Sequence, residues 1–203
     1  MDKDLDLLYE LGTFRFVNRT WRQFLGAPFA NNAEHTFRTM WIALTLAEQE
    51  NAATGTEINR EKLMKMALIH DVPESRLGDT HHVSRLYNTR QFEGRAMNDM
   101  FKNTSLRKEV LALWKEYQAK RSLEAKIVKD ADSLDVDMEL REQAANGNVL
   151  KDKFMWTRKL VREKLYTKSA KQMWDEIYKT DPHNWHITTR NRFTAGDYKK
   201  RKK

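Results

Sequence analysis

His70 is followed at once by a carboxylate, Asp71, and it closes a helical face on which Leu63, Met66 and Ala67 precede it at helical spacing. Such an imidazole points inward. Alone it would be an ordinary hydrogen-bonded core histidine, and it becomes a ligand only where other donors converge on it. Asp132, in the run KIVKDADSLDVDM, has Val128 four residues before it and Val136 four after, so its helical stripe is apolar on both sides. An inward carboxylate needs a partner, either an arginine from another helix or a metal ion, because an unpaired buried charge is costly. His35 sits near the start of a helix on a stripe with Ile42 and Leu46, where a partly exposed helix-end histidine is the plain alternative. If these imidazoles and carboxylates meet, the chemistry open to them is that of a divalent cation.

The elements that must position them read as helices. A first helix is expected over 5–17, then an Arg- and Trp-rich segment and a loop at Gly26-Ala27-Pro28. Asn31 or Asn32 can cap the next helix, with Glu34 in its first turn. In that helix Phe37, Met40, Trp41, Leu44 and Ala47–Glu48 follow the rhythm of a core-facing stripe, and Thr54-Gly55-Thr56 ends it. A third helix over 59–70 puts Leu63, Met66, Ala67 and His70 on one face, and HDVPESRLGD then breaks the pattern at Pro73 and Gly78. Further helices are expected over 91–102, 106–119, 122–145, 152–166 and 169–178, with Gly147 as the stop of the long one. No alternating strand run occurs. The expected fold class is all-α, a single-domain helical bundle or globule.

The order His35, His70-Asp71, Asp132, with separations of 35 and then 61 residues, resembles the HD superfamily, whose signature is H…HD…D on helices of one domain. The resemblance runs over about residues 8–150. Phe16-Val17-Asn18-Arg19, Ala33-Glu34-His35, His70-Asp71-Val72-Pro73-Glu74, Leu77-Gly78-Asp79 and Lys129-Asp130-Ala131-Asp132 are similar to segments of bacterial 5′-deoxynucleotidases and their relatives. The resemblance implies an HD-domain fold and His35, His70, Asp71 and Asp132 as ligands of one divalent transition metal. It also implies Glu74 and Asp79 as the acidic pair at the substrate, and Arg19 as the arginine that meets the phosphate. Trp21, which would limit the sugar pocket, comes one residue later than the family's pattern, and Arg85 stands where the family often has lysine, a second phosphate contact. After Asp79 the chain reads THHVSRLYN, without the family's prolines, so that His81 and His82 either touch phosphate or sit on a polar loop.

Two imidazoles and two carboxylates suit Mn, Fe, Co, Ni or Zn and can leave two octahedral positions open, for water and for a phosphoryl oxygen. The implied activity is hydrolysis of deoxyribonucleoside 5′-monophosphates. A dNTP triphosphohydrolase with the same ligands is the near alternative, and a non-catalytic nucleotide-binding regulatory module the distant one. A homodimer is implied by the resemblance alone.

Composition bounds the rest. With 203 residues, 40% hydrophobic, but only three Pro and seven Gly, the chain suits one large helical domain, placed at residues 1–186. It has no Cys, which excludes disulfides, thiolate metal sites and a cysteine nucleophile. No apolar run is long enough to cross a bilayer, and the acidic start MDKDLDLLYELG does not read as a signal peptide, so a cytoplasmic location is expected. The net charge of +8 concentrates in residues 187–203, where seven Lys and Arg face Asp197. That segment is expected to be a flexible basic tail with at most weak attraction for RNA or phosphate; no nucleic-acid signature accompanies it. Trp114, Trp156 and Trp174 are expected in the core, and Asp130, Asp135 and Asp137 mostly in solvent. His183 and His186 are given no role.

Overall fold

The structure, a computed structural model, describes residues 1–87 and 91–188. Among them eleven α-helices follow one another: α1 (Asp2–Gly12), α2 (Trp21–Leu25), α3 (Asn32–Thr54), α4 (Arg60–Ile69), α5 (Glu74–Leu77), α6 (Gln91–Met100), α7 (Arg107–Ala119), α8 (Leu123–Ala145), α9 (Lys151–Lys164), α10 (Lys168–Ile177) and α11 (Asn184–Ile187). No strand forms among the described residues; a single antiparallel bridge joins Asn18 to Asn31. The expected basic tail falls almost wholly outside the described residues.

Side-chain caps fix where the long helices start. Asn31 accepts the Glu34 N–H while the Glu34 carboxylate accepts the Asn31 N–H, a reciprocal capping box that begins α3 one residue before a buried asparagine. Asn59, Ser122 and Thr167 cap α4, α8 and α10 in the same sense. α3 ends at Gly55, whose φ of 69° is the left-handed conformation glycine adopts without cost. The first helix is shorter than expected: α1 stops at Gly12 and a 3₁₀ turn, Thr13–Phe16, leads into the extended Val17.

α8 is the central element, packed against α3, α4, α7, α9 and α10. Leu46 of α3, Leu63 and Met66 of α4, and Ile127, Val128 and Leu134 of α8 are fully buried in the main core. A second cluster gathers Leu7, Ile69, Val72, Met97, Met100, Phe101 and Val110. A third joins Leu25 and Phe29 to Val136 and Leu140 near the far end of α8.

Three expectations need correction. The buried face of α3 carries His35, Thr39, Ile42, Ala43, Leu46 and Glu50, whereas Phe37 and Trp41 are 65% and 60% exposed. The side that meets α4 and α8 is thus the stripe of His35, Ile42 and Leu46; of the other expected stripe Ala47 is buried and Met40 and Leu44 pack against the core, while Phe37 and Trp41 look outward. Asp130, Asp135 and Asp137 are not solvated but buried. A helix enclosed by its neighbours has no solvated side, and each carboxylate finds a donor instead. Asp130 takes the Tyr166 and Thr167 N–H groups and the Thr167 hydroxyl. Asp137 pairs with Arg158 in a two-pronged bond at 2.8 and 2.6 Å and accepts the Tyr178 hydroxyl. Of the three tryptophans only Trp174 is buried; Trp114 is half-buried and Trp156 lies on the exposed side of α9.

Candidate metal centre

Three helices deliver the four donors. His35 comes from the first turn of α3, His70 caps the end of α4 with Asp71 beside it, and Asp132 comes from the middle of α8. One ligand atom from each lies within 4.8 Å of all the others. The His35 and His70 Nε2 atoms are 3.3 Å apart, and His35 Nε2 stands 3.4 Å from Asp71 Oδ2 and 3.3 Å from Asp132 Oδ1.

The far side of each ring explains why both Nε2 atoms face the same point. His35 Nδ1 donates to Asp135 Oδ2 at 2.5 Å, and His70 Nδ1 donates to the Ala67 carbonyl at 2.7 Å. Each ring is thereby anchored through Nδ1 and turns its Nε2 inward, the arrangement that outer partners impose on metal-binding histidines. Asp135 is held in turn by Arg38, which also bonds Glu142 at 2.6 Å. Asp132 Oδ2 takes the Lys129 ammonium at 2.6 Å, which leaves Oδ1 for the cluster. Tyr117 closes one side, its ring edge-on to His70 at 6.1 Å between centroids.

Electrostatics agree with this donor set. Burial works against the charge on Asp71 and Asp132, yet His70 and His35 hold Asp71, and Lys129 and His35 hold Asp132, well below the usual carboxylate range. Burial and Arg19 push the His35 pKa down, but its bonds to Asp132, Asp135 and Asp71 keep it well above the ordinary imidazole value. The pocket draws positive charge to the point where these atoms meet. The carboxylates that favour positive charge on His35 equally favour a cation in place of its proton, and two imidazole nitrogens beside two carboxylate oxygens suit a divalent one.

The other expected residues gather around this cluster to different degrees. Arg19 is buried, donates to Asp71 at 3.1 Å and lies 3.8 Å from Asp79, while its Nε–H has no partner. Burial opposes its charge, but Asp79, Asp71, Asp132 and Glu74 hold its pKa above the ordinary value. Glu74 opens α5 and accepts the Asn32 amide at 2.5 Å. Burial, with repulsion from Asp71 and Asp79, raises its pKa well above the usual range. Gly78, at φ 72° and ψ 159°, takes a conformation closed to other residues and turns the chain so that Asp79 meets Thr20. Asp79 Oδ2 accepts both the Thr20 N–H at 2.6 Å and its hydroxyl at 2.8 Å.

Trp21 packs edge-on to Phe154 at 5.2 Å and also touches Phe24 and Phe29. Arg85 is not joined to the cluster: it is exposed and donates to the Thr80 carbonyl. His81 and His82 flank Phe24, with centroids 5.0 and 5.4 Å away, and His81 Nε2 shares a hydrogen with the Ser84 hydroxyl at 2.8 Å.

The HD domain family matches residues 11–179. The chain belongs to it. This HD domain protein is 31% identical over 148 residues to a 5′-deoxynucleotidase of Danio rerio, covering 70% of each chain. It is 32% identical over 143 residues to one of Schizosaccharomyces pombe, covering 66% of this chain and 69% of that one. A conserved hypothetical protein from Pyrococcus furiosus shares the HD domain protein's fold with a TM-score of 0.74 at 29% identity, over 87% of this chain and 99% of its own.

Sequence reasoning missed four partners of the site. Asn32 was readable only as a cap, Asp135 only as one acid in an acidic run, and Thr20 and Tyr117 carried no signal. Each acts through a residue distant in the chain: Asn32 on Glu74 across 42 positions, Asp135 on His35 across 100.

Proposed function

We propose that this HD domain protein is a metal-dependent phosphohydrolase that cleaves deoxyribonucleoside 5′-monophosphates to deoxynucleoside and phosphate, with His35, His70, Asp71 and Asp132 holding one divalent transition metal. The observation that carries the reading is the pair of inward Nε2 atoms with the buried Arg19 guanidinium beside them. The 5′-deoxynucleotidase relatives support the substrate class. A divalent cation bound there supplies Lewis acidity toward a phosphoryl oxygen and makes water a better nucleophile near neutrality.

The chain's own residues supply the rest. Arg19, with its Nε–H unspent, binds the non-bridging phosphoryl oxygens and neutralises them. Hydrolysis joins a water oxygen to phosphorus and breaks the bond from phosphorus to the 5′ oxygen, which must gain a proton as it leaves. Glu74, which burial and the charges of Asp71 and Asp79 push toward its protonated form, has Oε2 engaged by Asn32 and passes a proton to the leaving oxygen, regaining one from the attacking water. Asp79 orients Arg19 and Thr20. Trp21 walls the sugar side, and Arg85 makes at most an outer phosphate contact after leaving Thr80. Two copies associate into a homodimer in this reading, for which the exposed Phe37 and Trp41 on α3 offer apolar surface, and sedimentation velocity tests it. The composition without Cys supports a cytoplasmic location, and no helix among the described residues is long and apolar enough to cross a membrane.

The test strips the protein with chelator, restores Mn, Co, Ni, Zn or Mg separately, and incubates each form with dAMP, dGMP, AMP and dATP. Phosphate released from the deoxymonophosphates in a metal-dependent way is the expected result. Tripolyphosphate from dATP with no action on dAMP would move the function to triphosphate cleavage. Silence on every substrate would overturn the proposal.

A further inference from the structure

Glu139 lies seven residues beyond Asp132 on α8, two turns along the same side of the helix. It is only 6% exposed. Its Oε1 accepts the Ala30 N–H at 2.5 Å, a bond between residues 109 positions apart. The Ala30 carbonyl in turn accepts the Arg19 N–H at 3.2 Å, and one step along the same short ladder the Asn32 N–H donates to the Val17 carbonyl at 2.8 Å. Two segments, 17–19 and 30–32, are thereby zipped together around the bridge of Asn18 to Asn31. That ladder carries Arg19 on one side and Asn32, the partner of Glu74, on the other.

The ladder belongs to no larger sheet; it is held over α8 by the start of α3, by Leu25 and Phe29 packed on Val136 and Leu140, and by polar ties that fix its register against Asp132. Gln143 makes a second, exposed tie to the Pro28 carbonyl at 2.8 Å, but Glu139 makes the buried one and makes it within the ladder itself. A carboxylate is a costly choice for that position: Oε2 is buried without a partner. Burial pushes the Glu139 pKa up to about 7 against the pull of the Ala30 N–H. An apolar side chain would fill the space without that cost but could not accept the hydrogen bond.

We propose that Glu139 is a positioning residue, which through Ala30 sets the Arg19 guanidinium at the distance from the metal ligands that lets one phosphate meet both. The inference rests on the proposed function for the identity of the ligand, not for the tie itself. Glu139 touches neither metal nor substrate.

The metal-loaded wild type is compared with Glu139→Ala and Glu139→Gln for bound metal per chain, affinity for inorganic phosphate, and KM and kcat on dAMP. Glutamine keeps an oxygen that accepts the Ala30 N–H; alanine does not. Glu139→Ala should retain its metal but bind phosphate about tenfold more weakly and raise KM to match, in the lower range of losses for outer partners of a metal site. Glu139→Gln should restore both. Circular dichroism and thermal melting show whether Glu139→Ala is folded at the assay temperature; if it is not, Glu139→Leu, which fills the space without the acceptor, takes its place.

Wild-type phosphate affinity in the folded, metal-loaded alanine or leucine variant would overturn the inference while leaving the function standing. A glutamine variant as impaired as alanine would overturn it too. Should the wild type release no phosphate from any nucleotide, the function falls. Phosphate affinity still decides the positioning role in that case, weaker in alanine and restored in glutamine if Glu139 sets Arg19.

Discussion

Two imidazole nitrogens 3.3 Å apart, each already committed as a donor on its far side, repel unless something positive lies between them. Each ring is turned inward by its own outer partner, so replacing one removes a donor from the cluster without reorienting the other. His70→Ala or Asp71→Ala should abolish metal binding and turnover together while leaving the helical dichroism largely intact, measured by metal analysis beside the spectrum. Asn32→Ala tests a different link. It leaves all four ligands in place but deprives Glu74 of its hydrogen-bond donor, so kcat should fall by about 10- to 100-fold with metal content unchanged. Glu139 gives the pH prediction. Its folded pKa of about 7 exceeds the ordinary 4.5, so the folded state keeps a proton that the unfolded state releases between those values. Stability contributed below pH 4.5 is therefore lost as pH rises toward 7, by an amount on the order of 3 kcal/mol. Glu139→Gln, which cannot ionise, should melt at the wild-type temperature near pH 4.5 and well above it at pH 8. His35, His70 and Asp132 were legible as one candidate cluster because each stands on a helical stripe whose other members are apolar, and Asp71 because it follows His70 directly in an order that resembles the family's signature. Their outer partners were not, since nothing near Asn32 or Asp135 in the chain hints at Glu74 or His35.

At the scale of elements, the long helices were readable nearly everywhere, and their facing only in part: the Leu63, Met66, Ala67 and His70 face of α4 is buried as expected. The caps Asn31, Asn59, Ser122 and Thr167 mark starts that local chemistry dictates. Which side of α3 is buried depends on α4 and α8, and there the polar stripe with His35 and Thr39 displaces the aromatic one. For α8 the misjudgement was greater, because an acidic run reads as a solvated face until the helix is known to be enclosed. The buried carboxylates then become fasteners between helices, and Asp137 is the clearest case, holding Arg158 of α9 with both oxygens. Asp137→Ala strands a guanidinium that is 7% exposed, and should cost about 3–5 kcal/mol in urea unfolding, the range for breaking a buried pair from one side. Asp137→Asn, which keeps one acceptor oxygen, should cost less.

Donors from α3, from the end of α4 and from α8 meet at one point only in the folded chain, so the unfolded chain has no comparable site. Metal should bind the folded form almost alone and stabilise it by mass action, about 2.7 kcal/mol at a hundred times the dissociation constant. The melting temperature of the chelator-treated protein should thus climb steadily as manganese or cobalt is titrated in, and fall back when chelator is added again. All-α architecture and a single domain were legible from few glycines and prolines and from helical periodicity. How the segment before α3 lies over the ligands was not, because the ladder of residues 17–19 and 30–32 is too short to leave a pattern.

That ladder, with α2 and the turn at Gly78, contributes Arg19, Trp21 and Asp79, whereas three of the four candidate ligands lie within or at the end of the three helices that also build the main core. Inheritance can therefore treat the two parts separately. Changes in the ladder and the turns can redirect the protein toward a new phosphoester without disturbing the helices that keep it folded. A lineage built on this plan is free to diversify its substrates faster than its scaffold.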